Sequence, residues 1–285
     1  MSTQAPWAAR HGGPPGRSRA GWLVAVAVVW AVLLAGLAYA SVRHGAPTVR
    51  EQRDIAQAAR VADRAIGELV AAAGPEALVE LAAPRYDTGC RVSVLRYGTA
   101  LDRVVTFRTR PDDASALLTG IADRLPASYR AGTHPGRGDS GPTLRADAGE
   151  FVGVHGGVTA PGVVELTAST GCRPPVAGFA GQAEPLIGLP IDAEPARPLT
   201  ALHATGVTPG ERVSVPCPGG GVARTARATG QVAAASPLAP AAPAGAVVVT
   251  DEPDLYAYRS GALSVVLRRS GDQVRVAVGT GCPAG

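Results

Sequence analysis

The chain has 285 residues, and its 27 basic and 23 acidic side chains give a formal net charge of +4. Every basic residue is Arg, while Lys and Asn are absent; GC-rich codon usage produces this bias, so the Arg content does not indicate nucleic-acid binding. From Arg43 onward, 24 Arg are interspersed with all 23 acids, without the basic footprint of a polyanion-binding surface. We therefore expect no nucleic-acid partner, and the lack of Asn excludes N-linked glycosylation.

The first predicted element is a transmembrane helix at residues 20–42. No charged residue lies between Arg19 and Arg43, and as a helix this segment spans about 35 Å, more than the roughly 30 Å of a hydrocarbon core. The segment predicts a single-pass membrane anchor. The small-x-small pattern that ends at Ala40 also suits a signal peptidase, so a secreted protein cleaved after Ala40 is an alternative.

The orientation of this anchor follows from the cysteines. Both flanks of the apolar segment carry several Arg, so the positive-inside rule does not determine which side of the membrane holds the N-terminus. All four cysteines follow the anchor, and two disulfides would require an oxidising compartment. We predict a disordered cytoplasmic tail at residues 1–19 and an extracytoplasmic C-terminal region in the cell membrane.

A juxtamembrane helix is predicted at residues 48–73. Its apolar positions step by three and four residues, and Gly74-Pro75 ends the pattern. A coiled-coil stalk is one interpretation. The spacing barely covers three heptads and half of the positions are Ala, so a helix packed on the following domain is favoured.

An α+β module is predicted at residues 85–173. Strands are expected at residues 90–97 and 104–110, and a helix with acids in its first turn is expected from Pro111 to Leu125. Two further strands are expected near residues 150–155 and 163–170. This order is typical of an antiparallel sheet with helices on one face.

A Pro-rich linker at residues 174–198 and a mostly-β module at residues 199–285 complete the chain. The turn signal around Gly271 between two alternating runs predicts a hairpin. The strands expected in this module are residues 199–204, 212–217, 222–229, 246–250, 256–258, 262–268 and 273–279.

The four cysteines allow three pairings, and we favour one bridge in each module. Each Cys shares strand parity with apolar neighbours, which places it on a core face. A Thr-Gly-Cys sequence recurs at three of the four cysteines, which suggests a duplicated module. Buried free thiols are the alternative, and no C-x-x-C supports zinc. The favoured pairs are Cys90 with Cys172 and Cys217 with Cys282.

The sequence contains one short segment that resembles a catalytic motif. The sequence Gly-Asp-Ser-Gly-Pro at 138–142 resembles the nucleophile segment of chymotrypsin-like serine proteases, which implies Ser140 as nucleophile. The resemblance covers five residues and lacks the second Gly before Pro, and neither His44 nor His134 has the sequence setting of that family's base. His134, His155 and His203 lack metal-ligand spacing, and residues 251–254 lack the spacing of a calcium loop.

We therefore expect a membrane-anchored envelope protein with a binding or assembly role, no catalytic residue, no metal and no cofactor. Its expected partners are the membrane, through residues 20–42, and another envelope protein. An extracytoplasmic hydrolase that uses Ser140 or scattered carboxylates is the alternative.

Overall fold

The computed structural model describes residues 18–44, 53–136, 141–177, 179 and 194–283, and it divides into two units, Met1–Thr48 and Val49–Gly285. The first unit holds the apolar helix α1, Ser18–His44. Within it, Gly21–Ala40 has a mean hydropathy of 2.5 and none of that window is buried. The predicted N-terminal apolar helix is confirmed, and it is long enough to cross a membrane.

The second unit begins with helix α2, Ile55–Ala73, which Asp54 caps by accepting a hydrogen bond from the backbone N–H of Gln57. Residues 53 and 54 are not helical, so the helix starts later than the predicted residue 48, because the extended Asp54 is its N-cap. All six positions of the predicted apolar stripe are buried in the unit's own core, as expected for a helix packed on its domain: Ile55, Ala59, Ala62, Ile66, Leu69 and Ala73.

The first sheet has seven antiparallel strands, in the order β1-β5-β9-β8-β7-β6 with β2 paired to β5. Helices α2 and α3, Ala114–Arg124, pack against it around Phe107 and Leu166. The strands are β1 Leu78–Leu81, β2 Arg85–Asp87, β5 Ala100–Arg108, β6 Gly132–His134, β7 Thr143–Asp147, β8 Gly153–Ala160 and β9 Val163–Ser169.

The prediction of a single strand at residues 90–97 is wrong. This run doubles back as a small hairpin of β3, Arg91–Ser93, and β4, Arg96–Tyr97, outside the main sheet. Its ends are drawn together because the Gly98 N–H donates to the carbonyl of Cys90 over 2.9 Å. The alternating apolar and polar residues of this segment do not correspond to buried and exposed positions, since Val94 is 83% exposed.

The second sheet has six antiparallel strands in the order β10-β11-β15-β14-β13-β12. Helix α4, Ala196–Ala201, and the segment around Leu238 cover one face. The predicted hairpin is confirmed, since Ser270 pairs with Gln273 and Gly271 takes φ 65°. The strands are β10 Thr205–Pro216, β11 Val222–Gln231, β12 Val247–Glu252, β13 Leu255–Ser260, β14 Leu263–Ser270 and β15 Gln273–Thr280.

The strand predicted at residues 199–204 is also wrong. Residues 199–201 are the second half of α4, and the chain then turns through His203 at φ 53°. Pro198 lies in the first turns of α4, where its missing N–H costs no helical hydrogen bond. Most of the predicted linker, residue 178 and residues 180–193, lies outside the described residues.

Strand β1 is an edge of the first sheet that lies on the face of the second. The N–H of Val79 donates to the Ser264 hydroxyl over 3.0 Å, and the N–H of Leu81 donates to the Thr225 hydroxyl over 2.9 Å. These bonds satisfy edge donors that would otherwise be unpaired in a buried junction. The two sheets are therefore joined through β1, while the second sheet keeps a hydrophobic cluster of its own beneath α4. The predicted division into separate modules stays a prediction.

Gly67 sets how closely α2 approaches β10. A Cβ at this position would lie 1.9 Å from the carbonyl oxygen of Pro216. We expect Gly67→Ala to lower the free energy of unfolding by about 1–3 kcal/mol, because either the helix or the strand must move. Urea unfolding of the full chain in detergent, followed by circular dichroism of the sheet, measures this.

Gly120→Ala in α3 is the matched control. The three atoms nearest to an added Cβ there belong to the guanidinium of Arg124, at 3.1 to 3.4 Å, and the end of that flexible side chain can move. Removing a helical Gly stabilises a helix by up to about 1 kcal/mol. Equal losses from the two variants would contradict the packing argument.

Candidate ligand groove

A groove of about 740 Å³ lies where the two sheets and α2 meet. Its walls come from the C-terminal half of α2, the start of β1, the β10–β11 and β13–β14 turns and residues 280–283. The apolar lining is made of small side chains, among them Val70, Ala71, Ala77, Val222 and Ala262. The volume falls within the roughly 300–1,000 Å³ typical of small-ligand sites.

Two buried side-chain atoms of residues that line this groove lack hydrogen-bond partners within the described part of the chain. Arg224 and Thr280 are directly paired on β11 and β15, so their side chains share one face. Nε of Arg224 and Oγ1 of Thr280 are buried, and neither has a partner within the described part of the chain. Buried polar atoms are nearly always paired, so these two mark a position where a ligand or water belongs.

The charged groups on the wall are both basic. Arg259 donates to the Pro75 carbonyl over 2.9 Å and to the Glu76 carboxylate over 2.8 Å. No Asp or Glu is among the described residues that line the groove. Guanidinium groups beside an apolar wall suit a carboxylate carried on a short apolar chain.

A disulfide holds one wall of the groove. Cys217 and Cys282 are bonded, and Sγ of Cys282 lies 3.6 Å from the Gly67 carbonyl oxygen. Cys217 is only 8% exposed, and its parity neighbours Val213 and Val215 are buried as expected. The bridge fixes the C-terminal segment against β10 and α2.

The second disulfide joins Cys90 to Cys172. The structure thus contains the two pairs that the sequence favours, and none of the four cysteines is free. The parity argument does not hold for Cys90, because its neighbour Val94 points to solvent in the hairpin. Here the ends of the hairpin, rather than a core face, bring the two sulfurs together.

An ionic cluster braces the junction beside the groove. The carboxylate of Glu80 accepts two hydrogen bonds from Arg268, at 3.0 and 2.6 Å, and lies 3.3 Å from Arg227. Its side chain is 11% exposed. Burial raises the pKa of Glu80, but the hydrogen bonds and charge of Arg268, followed by those of Arg227, outweigh burial and hold the pKa below its usual value.

A smaller cavity of about 290 Å³ lies beneath α4. Its walls are mostly apolar, and the hydroxyl of Tyr258 donates to the Ala241 carbonyl over 2.8 Å. Burial, followed by the neighbouring Tyr256, raises the pKa of Tyr258 to about 12. Tyr258 is therefore a neutral structural group at ordinary pH.

The other residues singled out in the sequence do not converge. Ser140 lies outside the described residues. His134 and His155 are exposed on β6 and β8, and residues 251–254 form an exposed strand end and turn. Within the described ranges, no three His, Cys, Asp or Glu side chains are arranged to hold a metal ion.

Sequence reasoning missed Arg224 and Thr280. Each occupies an ordinary strand position, and one Arg among 27 carries no distinguishing signal. No known protein family matches this chain, and no characterised protein is detectably similar to it.

Proposed function

We propose that this chain is a single-pass envelope protein whose extracytoplasmic unit binds an extended peptide segment of another envelope protein. The peptide ends in a free carboxylate and has small apolar side chains. Binding takes place in the groove between the sheets, and no chemical step occurs there.

The membrane assignment is supported by α1 and by the disulfides. Gly21–Ala40 matches the length and hydropathy of a membrane span. Two disulfides on the C-terminal side favour an oxidising compartment for that region, which supports a cytoplasmic N-terminus.

The pair Arg224 and Thr280 is the observation that carries the binding proposal. A carboxylate at this position accepts hydrogen bonds from both side chains and satisfies atoms that are buried without partners. The apolar residues of the wall suit apolar ligand side chains, of which Ala and Val are the simplest. Binding is favoured over catalysis because no described lining residue is a free acid, base or thiol nucleophile.

Alkaline extraction of membranes tests the anchor. The full chain is expected to remain in the membrane pellet, and external protease applied to intact spheroplasts is expected to digest the C-terminal unit. Release by alkali, or protection from the protease, would overturn the membrane assignment.

Peptide titration tests the groove. The probe is a pool of tetrapeptides made of Ala and Val, prepared with a free C-terminal carboxylate or as the C-terminal amide, added to the full chain in detergent. We expect the free acids to bind and the amides to bind at least tenfold more weakly, since a carboxylate forms charge-assisted hydrogen bonds that an amide lacks.

Two Arg variants locate that binding. Arg224→Gln is expected to weaken binding of the free acids by about tenfold or more, the effect of losing one charged hydrogen-bond donor. The matched control is Arg275→Gln, an exposed Arg on the adjacent strand β15 that does not line the groove. Equal affinity of acids and amides, absence of binding, or equal effects of the two variants would each refute the proposal.

A further inference from the structure

Four large apolar side chains project into solvent from the β3–β4 hairpin and from the turn before β8. Three belong to the β3–β4 hairpin and the fourth to the turn before β8, and all are more than half exposed. We call this set the apolar rim: Val94 at 83%, Leu95 at 55%, Tyr97 at 61% and Phe151 at 63% exposed.

Covalent and hydrogen bonds bring the two parts of the rim to the same end of the sheet. The Cys90–Cys172 bridge ties the base of the hairpin to the segment that follows β9. The next residue, Arg173, is 2% exposed, and its guanidinium donates to the carbonyls of Glu150 and Phe151 at 2.8 and 2.9 Å. One short segment thus holds both the hairpin and the Phe151 turn.

The rim is held in a fixed shape. Glu150 and Phe151 adopt left-handed φ values of 54° and 59°, which a non-glycine residue keeps only when its surroundings enforce them. The Arg91 guanidinium lies 4.8 Å from the centre of the Tyr97 ring and donates to the Val94 carbonyl. A preorganised apolar surface loses little entropy on binding.

The chain enters the unit at this same end. The N–H of Ile55, the first residue of α2, donates to the Pro174 carbonyl over 3.2 Å, next to Arg173. Arg53 pairs with Glu150 at 2.9 Å. Only residues 45–52 separate this point from the end of α1 at His44, and fully extended they reach at most about 30 Å.

We infer that the apolar rim inserts into the headgroup and upper acyl region of the bilayer that holds α1. The short connection keeps the rim within reach of that surface. Exposed aliphatic tips beside Tyr and Arg are the composition that partitions into membrane interfaces. This inference rests on the membrane anchor of the proposed function and is independent of the groove.

Lipid-specific fluorescence quenching tests the inference. The full chain is reconstituted in vesicles of phosphatidylcholine and phosphatidylglycerol, with an environment-sensitive nitrobenzoxadiazole label on Val94→Cys. The matched control is Val247→Cys, an exposed Val on β12 of the other sheet, 53% exposed. Intact mass and non-reduced peptide mapping verify one label and both native disulfides.

We expect the label at position 94 to emit at shorter wavelength than the label at position 247, and spin-labelled lipids to quench it at least twofold more. Equal emission and quenching at the two positions would overturn the inference. A blue shift at position 94 that ignores the spin-labelled lipids and grows with the protein-to-lipid ratio would also overturn it, because a second copy of the chain would then cover the rim.

A release experiment separates this inference from the anchor. A protease site placed within residues 45–52 is cut after reconstitution, and the fraction of the C-terminal unit that sediments with vesicles is measured. Val94→Asp with Leu95→Asp is expected to reduce vesicle partitioning at least tenfold, since both side chains leave the apolar phase, whereas Val247→Asp with Val248→Asp is expected to change it less than twofold.

The outcomes distinguish the two proposals. If alkali extracts the uncut chain, the anchor itself fails. If the uncut chain resists alkali but the cut wild-type unit partitions as weakly as the double Asp variant of the rim, only the insertion of the rim fails.

Discussion

Replacing Glu80 by Gln is expected to lower the free energy of unfolding by about 3–5 kcal/mol, the cost of removing one member of a buried ion pair. Arg268 and Arg227 would then face a neutral amide at a junction where Glu80 is 11% exposed. Both arginines come from the second sheet and Glu80 from the first, so the loss falls on the contact between the sheets. Urea unfolding of the full chain in detergent, followed by circular dichroism, gives the value.

Glu76→Gln is the matched control for this variant. Glu76 also pairs with an Arg of the second sheet, Arg259, but its side chain is 81% exposed. Exposed pairs contribute at most about 1 kcal/mol. A loss from Glu80→Gln as small as that from Glu76→Gln would show that the cluster does not hold the sheets together.

The same residue makes the stability depend on pH. In the folded chain the pKa of Glu80 lies below the usual glutamate value of 4.5. The stability that ionised Glu80 contributes is therefore complete above pH 4.5 and is lost as the pH falls through the lowered pKa. The difference in unfolding free energy between the wild type and Glu80→Gln should therefore shrink as the pH falls below 4.5. A difference that stays constant over this range would contradict the ionic origin.

Removing the Cys217–Cys282 disulfide, which holds one wall of the groove, is expected to have the second large effect. Replacing Cys217 and Cys282 together by Ser is expected to lower the free energy of unfolding by about 4 kcal/mol in the chain-entropy model, because the two cysteines are 65 positions apart and their bond closes a long loop. Both residues also adjoin the groove wall, so peptide binding should weaken as well. Unfolding in urea and the peptide titration measure the two effects.

The other bridge provides the comparison. Cys90 and Cys172 are 82 positions apart, and their double Ser variant is expected to lose about as much stability, also roughly 4 kcal/mol. It should leave peptide binding within twofold of the wild type, since neither residue lines the groove. Loss of binding in both double variants would show that the effect is global unfolding rather than a change in the groove.

The sequence pattern correctly predicted those helices and strands in which the spacing of apolar residues matches the spacing of buried residues. The stripe of α2 from Ile55 to Ala73, the alternation of β15 and the turn at Gly271 each lie where the sequence places them. The hairpin at residues 91–97 shows where this reasoning fails. Its alternation is the same as that of a half-buried strand, but the bonds at Cys90 and Gly98 turn it away from the core.

The candidate groove could not be predicted in the same way. It depends on Arg224 and Thr280 lying side by side at a sheet end that is closed by α2 and β1. The residues that hold β1 there are distant in sequence: Val79 and Ser264 are 185 positions apart, and Leu81 and Thr225 are 144 apart. The sequence around a polar strand residue does not indicate which residue, more than a hundred positions away, it will contact.

The sequence by itself determined an apolar N-terminal helix and an α+β composition with antiparallel strands, because hydrophobic period and turn chemistry are properties of neighbouring residues. Only the tertiary structure decided that an edge strand of one sheet docks on the face of the other, that a groove with two unsatisfied polar atoms opens beside it, and that the side chains of the apolar rim are left exposed rather than buried in the core. These features depend on contacts between distant segments, whose free energy is set by shape and desolvation at the junction rather than by local periodicity.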